Sequence, residues 1–164
     1  MEVLGHYQVS HKTVRIACEI LENNLEEDEI IIAGINNNGY RFAEMIAENL
    51  QQLTDKKVVL TRIKLNPASP VDHAVTLEYP AKNTNGKTVV VVDDVANTGR
   101  TIFYAFKCFM DVLPKKVEVA VLVDRRHKQF PIKVDYVGLS LATTLQENIK
   151  ANLQPKDAMN VLID

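Results

Sequence analysis

Residues 88–101 read Thr88-Val89-Val90-Val91-Val92-Asp93-Asp94-Val95-Ala96-Asn97-Thr98-Gly99-Arg100-Thr101. Thr88–Val92 is an unbroken β-branched run. A run this short and apolar reads as a strand buried on both faces. It stops at two adjacent carboxylates. From Thr101 onward, Ile102, Ala105, Phe106 and Phe109 recur at helical spacing, which predicts a helix over 101–112. Pro114 ends it.

A strand, a short turn and a helix place particular chemistry at the turn. Backbone N–H groups at a helix start are unpaired and carry partial positive charge. Gly99 allows the backbone to approach an anion closely. The Thr98 and Thr101 hydroxyls add donors. The turn therefore suits a phosphate monoester. Asp93 and Asp94 would repel a second phosphate. They suit paired ribose hydroxyls, or a cation carried by the ligand. Carboxylates beside a phosphate cradle point to a sugar phosphate. Neither G-x-x-x-x-G-K-[ST] nor G-x-G-x-x-G occurs, which argues against a P-loop NTPase and a dinucleotide turn.

Outward from this stretch, helix and strand alternate. Val14, Ala17, Cys18, Leu21 and Leu25 predict a helix over about 10–24. Ile30–Ala33 reads as a buried strand, and Gly34–Gly39 as an Asn-rich turn. Helical spacing resumes from Tyr40 to Leu53. Val58–Leu65 is β-rich, Asn66–His73 reads as a loop, and Val75–Tyr79 as a short strand. Asn83–Gly86 is a turn. Val117–Val123 and Val134–Gly138 complete the strands. The pattern predicts an α/β fold with an open, mostly parallel sheet flanked by helices. Ligands of such sheets bind off the carboxyl ends of the strands. The candidate loops are 34–39, 93–101 and 124–130.

The chain has 164 residues, 46% hydrophobic and 24% charged, which suits one domain over 1–164. The charge sum of −2 argues against a globally basic nucleic-acid binder. Cys18 and Cys108 make no disulfide framework and read as small buried thiols. The first residues carry no apolar signal region, and no apolar run approaches the roughly 20 residues of a membrane helix. The expectation is a cytoplasmic protein with no membrane partner. His6, His11 and His73 lack metal-ligand partners at useful spacing, so no protein-held metal is expected. Arg125-Arg126-His127-Lys128 is a short basic cluster, suited to a phosphate or to RNA. Lys56-Lys57 and Lys115-Lys116 read as solvated turn charges.

The string VVVVDDVANTGRT resembles the phosphoribosyl-pyrophosphate motif of type I phosphoribosyltransferases. Ile31–Ile35 with Gly39–Ala43 is similar to the strand, pyrophosphate loop and helix that precede it there. Residues 120–127 and 131–138 resemble the C-terminal part of one branch, that of pyrimidine-operon attenuation regulators that also act as uracil phosphoribosyltransferases. The resemblance covers most of residues 10–150. It implies the type I fold, with a small hood built from the N- and C-terminal segments.

It also implies roles. Asp93 and Asp94 would hold the ribose 2- and 3-hydroxyls. Val95, Ala96 and Asn97–Thr101 (Asn97, Thr98, Gly99, Arg100, Thr101) would wrap the 5-phosphate. Asn36, Asn37, Asn38 and Gly39 would face the pyrophosphate, often across a strained or cis peptide. Asp135, Tyr136 and Val137 would present backbone groups to the base, through Gly138. Arg125, in an Asp-Arg dipeptide shared with that branch, joins Asp93 and Asp94 as a catalytic candidate. The implied reaction transfers ribose 5-phosphate from phosphoribosyl pyrophosphate to a nucleobase, uracil first, and releases pyrophosphate. Mg2+ would enter mainly on the pyrophosphate. A homodimer is expected from the family, and RNA is a lesser candidate partner.

This chain departs from the family pattern at four places. The pyrophosphate loop is Asn36-Asn37-Asn38, where relatives carry Arg. Neutral amides replace charge-assisted contacts that are roughly twice as strong. Asn97 occupies the position of an Asp general base in purine-type relatives and cannot take a proton at neutral pH. The loop Leu65–His73 has no Arg or Lys. Leu139 follows Val137-Gly138, where relatives often have Lys. Sugar-phosphate binding is thus better supported than fast transfer, and the alternative is a catalytically weak sensor of phosphoribosyl pyrophosphate or a nucleotide.

Overall fold

The computed structural model describes residues 1–144 and 146–164. Six strands form the main sheet: β2 (Glu29–Ile35), β3 (Lys57–Lys64), β4 (Thr76–Leu77), β5 (Thr88–Ala96), β6 (Lys116–Arg125) and β7 (Tyr136–Leu141). Their order is β4-β3-β2-β5-β6-β7, and only β4 runs antiparallel to its neighbour. Two long helices, α1 (His6–Glu22) and α2 (Asn36–Leu53), contribute to one of the two apolar clusters. The short α3 (Arg100–Ala105) contributes to the other.

Strand alternation explains the two layers. Successive side chains of a strand point to opposite faces. Ile30 and Ile32 join the cluster under α1 and α2, whereas Ile31 and Ala33 join the one under α3. Val90 and Val92 divide from Val89 and Val91 in the same way. Both faces are apolar, so the run is continuous. Each such side chain contributes about 1.5–3 kcal/mol on burial. Helix α1 buries Val9, Thr13, Ile16, Ala17 and Ile20, a stripe at helical spacing.

A second sheet, order β1-β9-β8, is antiparallel and joins the chain's two ends: β1 (Glu2–Leu4), β8 (Ile149–Asn152) and β9 (Asn160–Ile163). It is the hood expected from the terminal segments.

Several local expectations are corrected. Residues 36–39 are the first turn of α2, not a free loop. The first turn of a helix makes no use of its own N–H groups, so three Asn residues fit there. The helix expected over 101–112 stops at Ala105 and tightens into a 3-10 turn, Phe106–Phe109. Helix α1 starts at His6, four residues before the expected start. The thiols of Cys18 and Cys108 are half-buried and free rather than fully buried. Burial still pushes the Cys108 thiol up to about 12. Among the described residues, no helix is long and apolar enough to cross a membrane.

Candidate active site

The carboxyl ends of β2, β3 and β5 share one edge of the main sheet. A cavity of about 520 Å³ opens there, lined by Asn36, Asn37 and Asn38, by Asp93, Asp94 and Val95, and by Asn97 and Thr101. Ile35 at the end of β2, Pro67 from the loop after β3, and Ile149 from the hood complete the wall. The two stretches that the sequence singled out, 36–38 and 93–101, thus meet in one place. Pro67 belongs to the stretch Leu65–His73 that the resemblance matches to a loop over the active site; Ile149 was not foreseen. Ile149 is an isolated apolar residue in the sequence and gives no signal of its location.

Strand β5 runs through the carboxylates to Ala96, paired with β6 as far as Asp124. The strand therefore sets where the carboxylates sit. Asp93 is only 8% exposed, and its Oδ1 accepts the Asp94 N–H at 2.9 Å. Burial, and next the neighbouring Asp94 charge, push the Asp93 carboxyl well above the usual carboxylate range. Asp94 is partly open, and its Oδ1 accepts the Val95 N–H at 2.9 Å. Asp94 is thus the more open of the two carboxylates at the cavity wall. Asp93 lines the same cavity from deeper in the strand.

The turn from Val95 to Ile102, together with Asp93, encloses a small cradle of about 40 Å³. Gly99 sits at φ 87°, in the left-handed region. A Cβ there would meet Ile132 Cγ1 at 2.7 Å, so both the angle and the packing require glycine. Thr98 carbonyl oxygen accepts the N–H groups of Gln129 (2.9 Å) and Phe130 (3.2 Å). Arg100 Nη2 donates to the Ala68 carbonyl at 3.4 Å. Ala96 is buried under α3 and holds the turn from inside.

Across the cavity, Asn36 has φ 52°. That angle is strained for a residue with a side chain, though Asn tolerates it better than most. Its Oδ1 accepts the Leu65 N–H at 3.1 Å and so ties the end of β3 to the start of α2. The described backbone has no cis peptide. Gly39 has a different role from the one expected. A Cβ there would lie 2.7 Å from the Val92 carbonyl oxygen. Gly39 is where α2 approaches β5; only Asn36–Asn38 face the cavity.

Two further groups of expected residues lie away from this cavity. Asp135, Tyr136 and Val137 do not line the cavity. Asp135 precedes β7, and Tyr136 and Val137 begin it, opposite Ala120 and Val121 and several residues short of the strand's carboxyl end. Asp135 Oδ2 accepts the Val119 N–H at 2.8 Å. The Tyr136 hydroxyl donates to Glu118 Oε2 at 2.8 Å inside the sheet. These are fastenings of an edge strand. Arg125 is also committed elsewhere. Its Nε donates to Thr143 Oγ1 (2.7 Å), its Nη1 to Asn97 Oδ1 (3.2 Å), and its Nη2 to the carbonyls of Thr144 (2.6 Å) and Glu147 (2.9 Å). Arg125 is a positioning residue that ties the turn to the segment leading into the hood. Arg126 and His127 line a separate cavity of about 80 Å³ beside Asn97 and Thr98. Lys128 pairs with Asp124 at 2.5 Å.

No group of three or more His, Cys, Asp or Glu suited to a metal occurs among the described residues. Asp94, with Asp93 beneath it, offers only an incomplete donor set. That fits a magnesium ion whose remaining ligands are substrate oxygens and water.

The chain matches the family model described as "Phosphoribosyl transferase domain" over residues 3–158. It is 36% identical to "Bifunctional protein PyrR" of Streptomyces coelicolor, over 98% of this chain and 87% of that protein. It is 35% identical to "Bifunctional protein pyrR" of Enterococcus faecalis, over 95% and 91%. Its fold is similar to the hypoxanthine phosphoribosyltransferase of Trypanosoma cruzi, with a TM-score of 0.77, 15% identity and coverage of 99% and 95%. It is also similar to a hypoxanthine-guanine phosphoribosyltransferase from Bacillus anthracis, with a TM-score of 0.69, 22% identity and coverage of 85% and 81%. The carboxylate strand, its glycine turn and the sheet that carries them agree with these matches: the chain belongs to the phosphoribosyl transferase domain family.

Proposed function

We propose that this protein transfers ribose 5-phosphate from phosphoribosyl pyrophosphate to a nucleobase, uracil first, and releases pyrophosphate. The observation that carries this reading is the shared cavity. Asp93-Asp94, the Gly99 turn and the Asn36–Asn38 turn line adjoining spaces on one sheet edge. Asp94 accepts hydrogen bonds from the ribose hydroxyls, while the turn at Val95–Thr101 holds the 5-phosphate. Asn36–Asn38 amides face the leaving pyrophosphate.

In the reaction, the bond from the anomeric carbon to a pyrophosphate oxygen breaks and one to a base nitrogen forms. The base gives up its N–H proton to water or to the departing pyrophosphate. The transition state resembles an oxocarbenium ion, and this chain contributes by positioning and charge. Asp94 lies on the sugar's hydroxyl side, where a carboxylate favours developing positive charge. Magnesium carried on the pyrophosphate would supply positive charge to the leaving group. Asp94 is the side chain best placed to meet that ion.

Regulation is the second reading, favoured by one observation: the amides of 36–38 bring no charge to the cavity. In that reading the chain senses phosphoribosyl pyrophosphate or a nucleotide, turns over slowly, and contacts RNA through Arg126 and His127. A homodimer is part of both readings. Pyrophosphate release on adding each base separates them, since a sensor binds the sugar donor without releasing it. Affinity for an RNA hairpin that falls steeply with salt would support the RNA contact.

A further inference from the structure

Beyond Asn37 lies a second cavity, about 420 Å³, lined by Asn37, Tyr40, Arg41, Glu44, Arg62 and Gln154. That volume is within the range of ligand sites. Asn37 lines both this space and the main cavity. Arg62 is the unusual member. It lies on β3 in register with Gly34, the penultimate residue of β2.

The guanidinium of Arg62 is held but not satisfied. One face rests on the Tyr40 ring, 4.1 Å from the centroid. Its Nε is buried and has no acceptor among the described residues. Its one carboxylate neighbour, Glu78, stands 4.0 Å from Nη1 and takes Lys64 at 3.2 Å. Arg41 is already used, by Glu44 at 2.6 Å and by the Leu153 carbonyl at 3.0 Å. Three cations (Arg41, Arg62, Lys64) thus face two carboxylates (Glu44, Glu78). A buried guanidinium donor without an acceptor is costly and calls for a partner. The partner that satisfies a planar fork of donors is a carboxylate or a phosphate.

We infer that Arg62 supplies the cation of the pyrophosphate subsite, from β3 rather than from the turn at 36–38. The inference deepens the proposed function and rests on it. One phosphoryl group of the diphosphate meets the Asn37 amide, and its outer oxygens extend past Asn37 toward the Arg62 fork. Tyr40 keeps the guanidinium in place, so little side-chain freedom is lost on binding. The neutral Asn run and the arginine whose Nε lacks an acceptor then explain each other.

The test is calorimetry on the full chain with two probes, magnesium pyrophosphate and ribose 5-phosphate. Arg62→Gln is expected to weaken pyrophosphate about 10- to 100-fold, the range of a lost charge-assisted hydrogen bond. Ribose 5-phosphate, which lacks the diphosphate, is expected to stay within about twofold, and its binding shows that the variant is folded. Arg62→Lys keeps the charge but not the fork, and is expected to fall between the two. That variant decides the question if the Gln variant does not fold. Unchanged pyrophosphate affinity in these variants, with ribose 5-phosphate still bound, overturns the role of Arg62 and leaves the transferase reading intact. A chain that binds neither probe before any substitution overturns both.

Discussion

Arg125 Nη1 donates to Asn97 Oδ1 at 3.2 Å, and the rest of the same guanidinium donates to Thr143 Oγ1 and to the carbonyls of Thr144 and Glu147. One side chain therefore links the Gly99 turn to the approach of β8, whose Ile149 lines the cavity wall. Replacing it by Ala removes all of these bonds together. Charge-assisted hydrogen bonds contribute about 1.5–3 kcal/mol each at best, and exposed ones less. Arg125→Ala is expected to weaken ribose 5-phosphate about 10-fold and to speed amide exchange around 143–149. Exchange is the decisive readout: unaltered rates there would mean that Arg125 does not fasten the segment.

The Asp93 carboxyl, raised by burial and by Asp94, gives a stability effect with a definite sign. A carboxyl whose folded pKa lies above its unfolded value binds more protons when folded. Its contribution is therefore fully present below the unfolded value and is lost as pH rises through the folded one. Asp93→Asn removes that loss while its amide oxygen can still accept the Asp94 N–H. The variant is expected to melt at a higher temperature than the parent near pH 7, with the gap closing toward pH 4. Thermal melts across that range check it. A variant less stable than the parent at neutral pH contradicts this account of Asp93.

Tyr136 separates a structural part from a binding part. Its hydroxyl donates to Glu118, a residue 8% exposed, and burial pushes its own ionisation far above the usual range. Tyr136→Phe leaves Glu118 short of one donor inside the sheet. The expected cost is about 1–3 kcal/mol of stability, measured by denaturant unfolding. Sugar-phosphate and base affinity are expected to be unchanged. Altered base selectivity in this variant would return Asp135–Val137 to the site.

How much of this was legible in the sequence depends on how local the cause is. Thr88–Val92 and Ile30–Ala33 are buried on both faces, so their apolar runs announce strands directly. The turn at Asn97–Thr101 was legible because Gly99 and the hydroxyls have a local job. The hood was not readable from periodicity. Strand β1 pairs with β9 across almost the whole chain, and strands of three or four residues carry no period of their own. Asn36–Asn38 read as a turn because Asn is a poor helix former, yet the first helical turn tolerates it. Residues 135–137 misled for a different reason. They resemble a base-reading segment in sequence, whereas in the structure Asp135 precedes β7, Tyr136 and Val137 begin it, and none of the three lines the cavity. Arg62 was silent, one polar residue in a β-rich run. Only the Tyr40 ring above it and the missing acceptor make it stand out.

The most direct test of the central claim is calorimetry with magnesium phosphoribosyl pyrophosphate, followed in the same sample by pyrophosphate release on adding uracil, hypoxanthine, guanine or orotate. The geometry at Asp94, the Gly99 turn and Asn36–Asn38 predicts saturable binding, and the proposed function predicts release with uracil before the other bases. Absence of binding, with ribose 5-phosphate also failing to bind, would contradict it.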